Sequence, residues 1–309
     1  VKRVVITGYG AVTPLGATAQ ESWQSIMDGK LGYRYVDYTA ANINSHFFGL
    51  IDDEPNLKGV PAAIRRRLPR FARLTLGAAR QAVAMAFGDS EPQEVYSPLE
   101  CGVIMGTGWG GMDESYNGSK DYSANGISSP FNCFLTMPNV ATAACSQFWN
   151  LRGYQNTAIA ACATGNMVIG DAWEAIRNGR ATMMLAGSGE SLTTDYAIWN
   201  IDVLGALCKE PQDPTKACCP FSAERNGFVL SEGAAVLCLE ERDSALARGA
   251  TILGEITGYA NFSDAFDFTS PAEDCLARVQ TINRALAQAG LEPHQLDYIN
   301  AHGTSTPLN

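Results

Sequence analysis

The 309-residue sequence has little material for a metal centre. It has only three histidines, His46, His294 and His302, and its nine cysteines form no CxxC pair and no Cys/His spacing of the zinc-site type. No metal is therefore expected, and an odd cysteine count without a framework suits reduced thiols in a cytoplasmic protein. Long apolar runs are missing, so membrane insertion is not expected. The N-terminus "VKRVVITGYG" goes straight into a strand and lacks the pattern of a secretory signal. Positive charge is also short: a formal net charge of −10 argues against general nucleic-acid binding. No linker or low-complexity segment divides the chain.

What is present suits a globular protein with a substantial core, since 46% of residues are hydrophobic and 17% charged. Strand and helix patterns alternate. Strands are expected at Arg3–Thr7, Cys101–Met105, Thr157–Ala161, Thr182–Ala186, Ala234–Leu239, Thr251–Thr257 and Tyr298–Ala301. Helices are expected at Glu21–Asp28, Phe71–Phe87, Asn139–Asn150 and Cys275–Ala289. Such alternation predicts α/β layers with helices on both sheet faces. "ITGY" occurs at Ile6–Tyr9 and again at Ile256–Tyr259, a hint of internal duplication.

Cys162 stands at the most informative point. The apolar run Thr157–Ala161 precedes it, and after Gly165 the residues Val168, Ile169, Ala172, Trp173 and Ile176 recur at helical spacing. Cys162 therefore occupies a sharp strand-to-helix turn, held out above a helix N-terminus, where negative charge is favoured. A lone cysteine is more often a buried structural residue, and the turn alone does not decide between the two.

Three further stretches carry chemistry. "YINAHGTSTP" puts His302 just beyond an expected strand, on a loop of small hydroxyl residues. There it is either a satisfied structural histidine or one that offers a ring nitrogen to a substrate. "GTGWGG" follows a strand with the glycine spacing of a dinucleotide loop. The polar, turn-rich "MDESYNGSKDYSANGISSP" that follows does not read as the crossover helix such a site needs. "IRRRLPRFARL" crowds Arg65, Arg66, Arg67, Arg70 and Arg73 into an otherwise acidic chain. This is either a solvated helix face or a docking patch for an acidic partner.

In order, "VVITGYGAVTPLG", "ACATGN", "PFSAERNGFVLSEGAA" and "INAHGTSTP" resemble the signatures of the β-ketoacyl-acyl carrier protein synthases, nearest to the synthase II type, from Val4 to the last residue. The resemblance implies a thiolase fold layered αβαβα and usually paired as a homodimer. The N-terminal half would be 1–250, with the nucleophile, and the start of a C-terminal half 251–309. It implies that Cys162 is acylated by a thioester carried on an acyl carrier protein. An enolate formed by decarboxylation of malonyl-carrier protein would then attack the acyl group, in fatty-acid or polyketide synthesis. His302 matches the first of two catalytic histidines, and Thr269, Thr304 and Thr306 match residues that contact the phosphopantetheine arm. No cofactor is implied beyond that arm, which arrives on the carrier. Arg65, Arg66, Arg67 and Arg70 become the carrier-docking candidates.

Trp109 takes the position of an aliphatic residue that gates the acyl pocket in the synthase II type. It implies short or flat acyl chains, unless the side chain points into a dimer interface. Asn226 departs from an Asp usual in the family. The chain reaches "TSTPLN" before the second catalytic histidine, the lysine and the glycine-rich Phe loop. It is thus expected to be C-terminally truncated, with the second half of the fold incomplete, and to fail at condensation by itself. Other readings are a non-catalytic ketosynthase partner subunit, against which Cys162 argues, an inactive truncated synthase, and an NAD-binding oxidoreductase resting on "GTGWGG".

Overall fold

Residues 101, 103 and 105 of one strand face one hydrophobic core, while Ile104 faces another. The strand Cys101–Gly106 is buried along its whole length, as a central strand with helices on both faces must be. The neighbouring Met183–Glu190 repeats the alternation, with Met183 and Leu185 on one side and Met184 and Ala186 on the other.

The computed structural model describes residues 1–209, 211 and 213–308. In chain order the strands are β1 (Val4–Val12), β2 (Arg34–Tyr35), β3 (Phe47–Gly49), β4 (Cys101–Gly106), β5 (Gln155–Ala158), β6 (Met183–Glu190), β7 (Leu230–Ser231), β8 (Gly233–Glu241) and β9 (Gly254–Ile256). The helices are α1 (Ala19–Met27), α2 (Ala62–Arg65), α3 (Arg70–Phe87), α4 (Pro92–Val95), α5 (Met112–Asn125) and α6 (Asn132–Thr136). They continue with α7 (Val140–Phe148), α8 (Thr164–Arg177), α9 (Asp195–Asp202), α10 (Arg242–Ala247) and α11 (Leu276–Ala289).

The main sheet has the order β5-β4-β6-β8-β1-β9. β4 runs parallel to β5 and β6, and β8 runs antiparallel to β6 and β1. Helices α3 and α7 cover one face, with Phe71, Leu74, Leu76, Ala141 and Cys145 buried against it. Helix α8 covers the other with Val168, Ala172, Trp173 and Ile176. A small sheet, β2-β3-β7, flanks this body. The two "ITGY" stretches begin at paired strands, since β1 and β9 run antiparallel with Val4 opposite Ile256.

Three expectations need correction. The segment after "GTGWGG" is a helix, α5, despite its polarity: Asp113 and Glu114 lie in its first turn, where they complement the dipole, and most of its surface faces water. The strand expected at Thr157–Ala161 lies earlier, at Gln155–Ala158, because the chain turns sharply at Ala161. Tyr298–Ala301 is not a strand among the described residues: Tyr298 is 78% and Ile299 70% exposed, with no ladder to hold them.

Candidate active site

At the C-terminal end of β5 the chain makes an elbow. Ala161 adopts a left-handed conformation with φ 45°, a strain of about 1–3 kcal/mol that neighbouring structure must offset. Cys162 follows in a 3-10 turn, Ala161–Ala163, that runs into α8. The Ala160 N–H donates to Thr164 Oγ1 at 2.8 Å and the Ala163 N–H to the Ala160 carbonyl at 3.0 Å, closing the turn from inside. Thr164 is buried against the end of β4, where a Cβ on Gly106 would sit 2.2 Å from Thr164 Cγ2. Only glycine lets the elbow seat there. The Cys162 side chain is left exposed.

The other thiols differ in environment. Burial pushes Cys101 and Cys145 up to about 12 and Cys208 up to about 11. Burial also raises Cys238, so these four are thiols, not thiolates, at neutral pH. Cys133 and Cys275 are exposed, and Arg278 Nη2 donates to Cys275 Sγ at 3.1 Å.

The glycine loop passes beside the elbow. A Cβ on Gly108 would lie 3.8 Å from Ala161 Cα and 2.9 Å from Glu190 Oε2. Glu190, at the end of β6, accepts the amides of Gly108 at 2.7 Å and Trp109 at 2.9 Å. Thr107 Oγ1 donates to the same carboxylate at 3.3 Å, and the Ser191 amide at 3.2 Å. Burial raises the Glu190 carboxyl above its ordinary range, against the downward pull of these donors. The amides that would cradle a pyrophosphate are thus already occupied by a protein carboxylate, which removes the basis for the oxidoreductase reading. Trp109 itself is 48% exposed and borders a cavity of about 530 Å³, walled by α5 and by Tyr196 of α9.

The His302 loop is held by a separate segment. Arg225 donates from Nε to the Thr306 carbonyl at 3.1 Å and from Nη2 to the Pro307 carbonyl at 2.9 Å. The Cys219 N–H donates to Ser305 Oγ at 3.0 Å, and the Gly227 N–H to the Ser305 carbonyl at 2.7 Å. Thr304 and Thr306 share a hydrogen bond of 2.8 Å between their hydroxyls. His302 is exposed at the start of this braced loop. Thr269 is not brought to it: it is exposed and its hydroxyl donates to Asp267 at 3.1 Å. Asn226 Nδ2 donates to the Lys209 carbonyl at 3.4 Å, while its Oδ1 is buried with no hydrogen-bond partner among the described residues.

The arginine cluster divides. Arg65 and Arg66 are exposed, and Arg66 and Arg67 lie 5.8 and 5.4 Å from the centre of the Phe131 ring. Arg70 turns inward instead. Its Nε donates to Glu232 Oε2 at 2.6 Å and its Nη1 to Glu54 at 3.3 Å, and Nη2 donates to the Ile51 carbonyl. Glu232 is almost wholly buried, so Arg70 is committed to neutralising it and does not belong with a docking surface.

Comparison with known sequences accords with this geometry. The family models "Beta-ketoacyl synthase, N-terminal domain" and "Beta-ketoacyl synthase, C-terminal domain" match residues 1–245 and 253–309. The chain belongs to the β-ketoacyl synthase family. It is 36% identical over 314 residues to a 3-oxoacyl-[acyl-carrier-protein] synthase 2 of Synechocystis sp., covering 100% of this chain and 74% of that one. It is 34% identical over 310 residues to the synthase 2 of Staphylococcus aureus, covering 99% and 74%. Its fold is the thiolase fold of the solved ketosynthases. A β-ketoacyl synthase from Burkholderia phymatum superposes with a TM-score of 0.90 at 32% identity, covering 100% of this chain and 75% of that one. A type II polyketide ketosynthase solved with its acyl carrier protein and bound to the hexaketide superposes at 0.87 with 29% identity, covering 100% and 74%.

Within this synthase, sequence reasoning missed the residues that hold the site. Glu190 closes an apolar strand, "MMLAGSGE", and a lone carboxylate at the end of a buried strand is a detectable signal. Arg225 lay inside a quoted motif without a role. Asp113 gave no signal. It accepts four hydrogen bonds from Thr193 and Thr194, at 2.6 to 3.2 Å, and so ties α5 to α9.

Proposed function

We propose that this ketosynthase uses Cys162 to take an acyl group from an acyl carrier protein and joins it to malonyl-carrier protein. The observation that carries the reading is the elbow: an exposed cysteine at the end of β5, ahead of the 14-residue α8, beside a loop fixed by Glu190. Cys162 Sγ attacks the thioester carbonyl, a carbon–sulfur bond forms, and the pantetheine thiol leaves with a proton. The partial positive charge of the α8 N-terminus favours the oxyanion that develops during the attack. Malonyl-carrier protein then loses carbon dioxide. The His302 ring N–H supports the resulting enolate, whose carbon attacks the acyl-enzyme and expels the Cys162 thiolate.

Thr304 and Thr306 are placed to receive the pantetheine arm, which comes with the carrier. Thr269 joins them only if its loop shifts. Arg65, Arg66 and Arg67 supply the docking charge for an acidic carrier. Carrier association is known for the polyketide ketosynthase relative, which was solved in complex with its carrier protein. Trp109 gates the acyl pocket, so Trp109→Ala should lengthen the saturated chains accepted. A homodimer is favoured by β5, which lies at an open sheet edge just before the elbow. The nine unpaired cysteines suit a cytoplasmic protein. We place the boundary between the two halves of the fold near residue 250.

Incubation of the full chain with acyl- and malonyl-carrier proteins tests this function. Acylation of Cys162 is expected of residues 1–309, and carbon dioxide release with a 3-oxoacyl-carrier product is expected of a chain that also carries the second catalytic histidine, the lysine and the glycine-rich Phe loop. His302→Ala should retain acyl transfer to Cys162 and lose carbon–carbon bond formation. Loss of both steps together would remove His302 from the enolate role.

A further inference from the structure

Ser305 stands in a left-handed conformation, φ 60°, which residues with a side chain rarely take, and it is wholly buried. Such strain persists only where the surroundings over-determine it. Here they do. The Gly227 N–H donates to the Ser305 carbonyl at 2.7 Å, and the Cys219 N–H to its hydroxyl at 3.0 Å. Arg225 holds the next two residues, from Nε to the Thr306 carbonyl at 3.1 Å and from Nη2 to the Pro307 carbonyl at 2.9 Å. Its Nη1 donates to the Ser222 carbonyl at 2.9 Å, so all three guanidinium nitrogens are committed to main-chain oxygens. Residues 298–302, which lead into this turn, are exposed, so the brace and not packing fixes the loop.

The turn brings its two neighbours together. In an extended chain, residues two apart share a face but stand about 6.6 Å from each other, too far for two threonine hydroxyls to meet. With Ser305 left-handed between them, Thr304 Oγ1 and Thr306 Oγ1 lie 2.8 Å apart and share a hydrogen bond. That bond uses one of the two hydroxyl hydrogens. The pair keeps the other to donate and has lone pairs left to accept, which matches a secondary amide with its one N–H and one carbonyl.

We infer that Ser305 and Arg225 are positioning residues for the pantetheine arm: the left-handed turn at Ser305, clamped by Arg225, holds the Thr304 and Thr306 hydroxyls at the spacing that receives one amide. Neither residue contributes an atom to the reaction. The inference rests on the ketosynthase reading and goes beyond it by assigning the residues through which the two threonines act. It also separates binding of the arm from attack by Cys162. Lysine cannot replace Arg225, because one ammonium cannot face three separate carbonyls in a fixed fork.

The test uses the full chain with two acetyl donors, S-acetylpantetheine, which carries the amides of the arm, and S-propyl thioacetate, which has none. Acylation of Cys162 is followed by intact mass and peptide mapping across donor concentration, which separates donor affinity from limiting rate. Within each protein the propyl donor is the reference, so general losses cancel. The unaltered protein should bind acetylpantetheine more tightly. Ser305→Val, whose β-branched side chain resists a left-handed backbone, should lower that preference about fivefold or more, the size of one lost hydrogen bond. The loss should fall on donor affinity and not on limiting rate. Ser305→Gly leaves the turn accessible and should hold the preference within about twofold. Arg225→Ala and Arg225→Lys should follow Ser305→Val, and they decide the matter if Ser305→Val does not fold. An unchanged preference in Ser305→Val or Arg225→Ala, or equal losses for both donors, would overturn the inference. Ser305→Gly falling as far as Ser305→Val would also overturn it, since the hydroxyl and not the turn would then be responsible. Equal affinity of the unaltered protein for both donors would overturn it and leave the ketosynthase reading intact. Failure of both donors to acylate Cys162 would defeat the ketosynthase reading and this inference with it.

Discussion

Glu190 Oε2 accepts the Gly108 amide at 2.7 Å, which ties the end of β6 to the loop beside the Cys162 elbow. The next residue, Ser191, donates from its hydroxyl to Glu232 at 2.9 Å, and Glu232 is paired with Arg70. A line of buried and half-buried polar groups thus runs from the glycine loop to the base of α3. Such groups are costly to leave half-satisfied, so each fixes its neighbour.

Replacing Glu190 by Gln should therefore disturb more than charge. An amide cannot accept at both terminal atoms, so either the loop amides or the Ser191 amide would lose its acceptor. A loss of about 1–3 kcal/mol of stability is expected, with slower acylation of Cys162. Thermal unfolding with acyl-transfer kinetics would check this. Unchanged values in both would show that the loop holds itself.

Acid stability should depend on Glu232. Burial pushes its carboxyl up, but Arg70, the Ile51 amide and Ser191 outweigh burial and hold it below its ordinary value of 4.5. A carboxyl depressed in the folded state contributes stability that is complete above the unfolded value. That contribution is lost as pH falls through the folded one. Glu232→Gln should flatten the decline in stability below about pH 4.5. Arg70→Ala should cost about 3–5 kcal/mol at neutral pH by stranding the carboxylate. Denaturation across pH 3 to 7 separates the two, and an acid limb identical in Glu232→Gln would refute the assignment.

The elbow was legible in the sequence because it rests on local signals: an apolar run, small residues, then helical spacing. The main-sheet strands β4, β6 and β8 were legible for the same reason. What escaped was contact between distant segments. Glu190 meets Gly108 across 82 positions and Arg70 meets Glu232 across 162, and neither pairing leaves a periodic trace. Arg70 looked like its neighbours in a basic run, and only burial of its partner set it apart. Helix α5 was misread because its exposed, polar surface carries no apolar stripe, while Asp113 and tertiary contacts supply what propensity does not.

Carrier binding should be sensitive to Arg66 and Arg67. Reversing both to Glu should weaken carrier affinity by on the order of tenfold at low salt, with the difference shrinking as ionic strength rises. Titration of carrier protein at two salt concentrations would show this. Equal affinities for both proteins would return these arginines to a solvated helix face.

Alkylation should rank the cysteines. Cys101, Cys145, Cys208 and Cys238 are held as thiols by burial and should resist iodoacetamide at neutral pH until the protein unfolds. Cys162 should react first, ahead of exposed Cys133 and of Cys275 beside Arg278. Peptide mapping at limiting reagent gives the order directly. First labelling at Cys275 would show that a guanidinium contact outweighs the elbow.

The most direct measurement is peptide-level mass spectrometry after incubation with acyl-carrier protein, before any malonyl donor is added. One acyl group should be found on the peptide holding Cys162, removable by hydroxylamine as a thioester and absent in Cys162→Ala. An acyl group on any other cysteine, or an equal yield from Cys162→Ala, would contradict the assignment of Cys162 as the nucleophile.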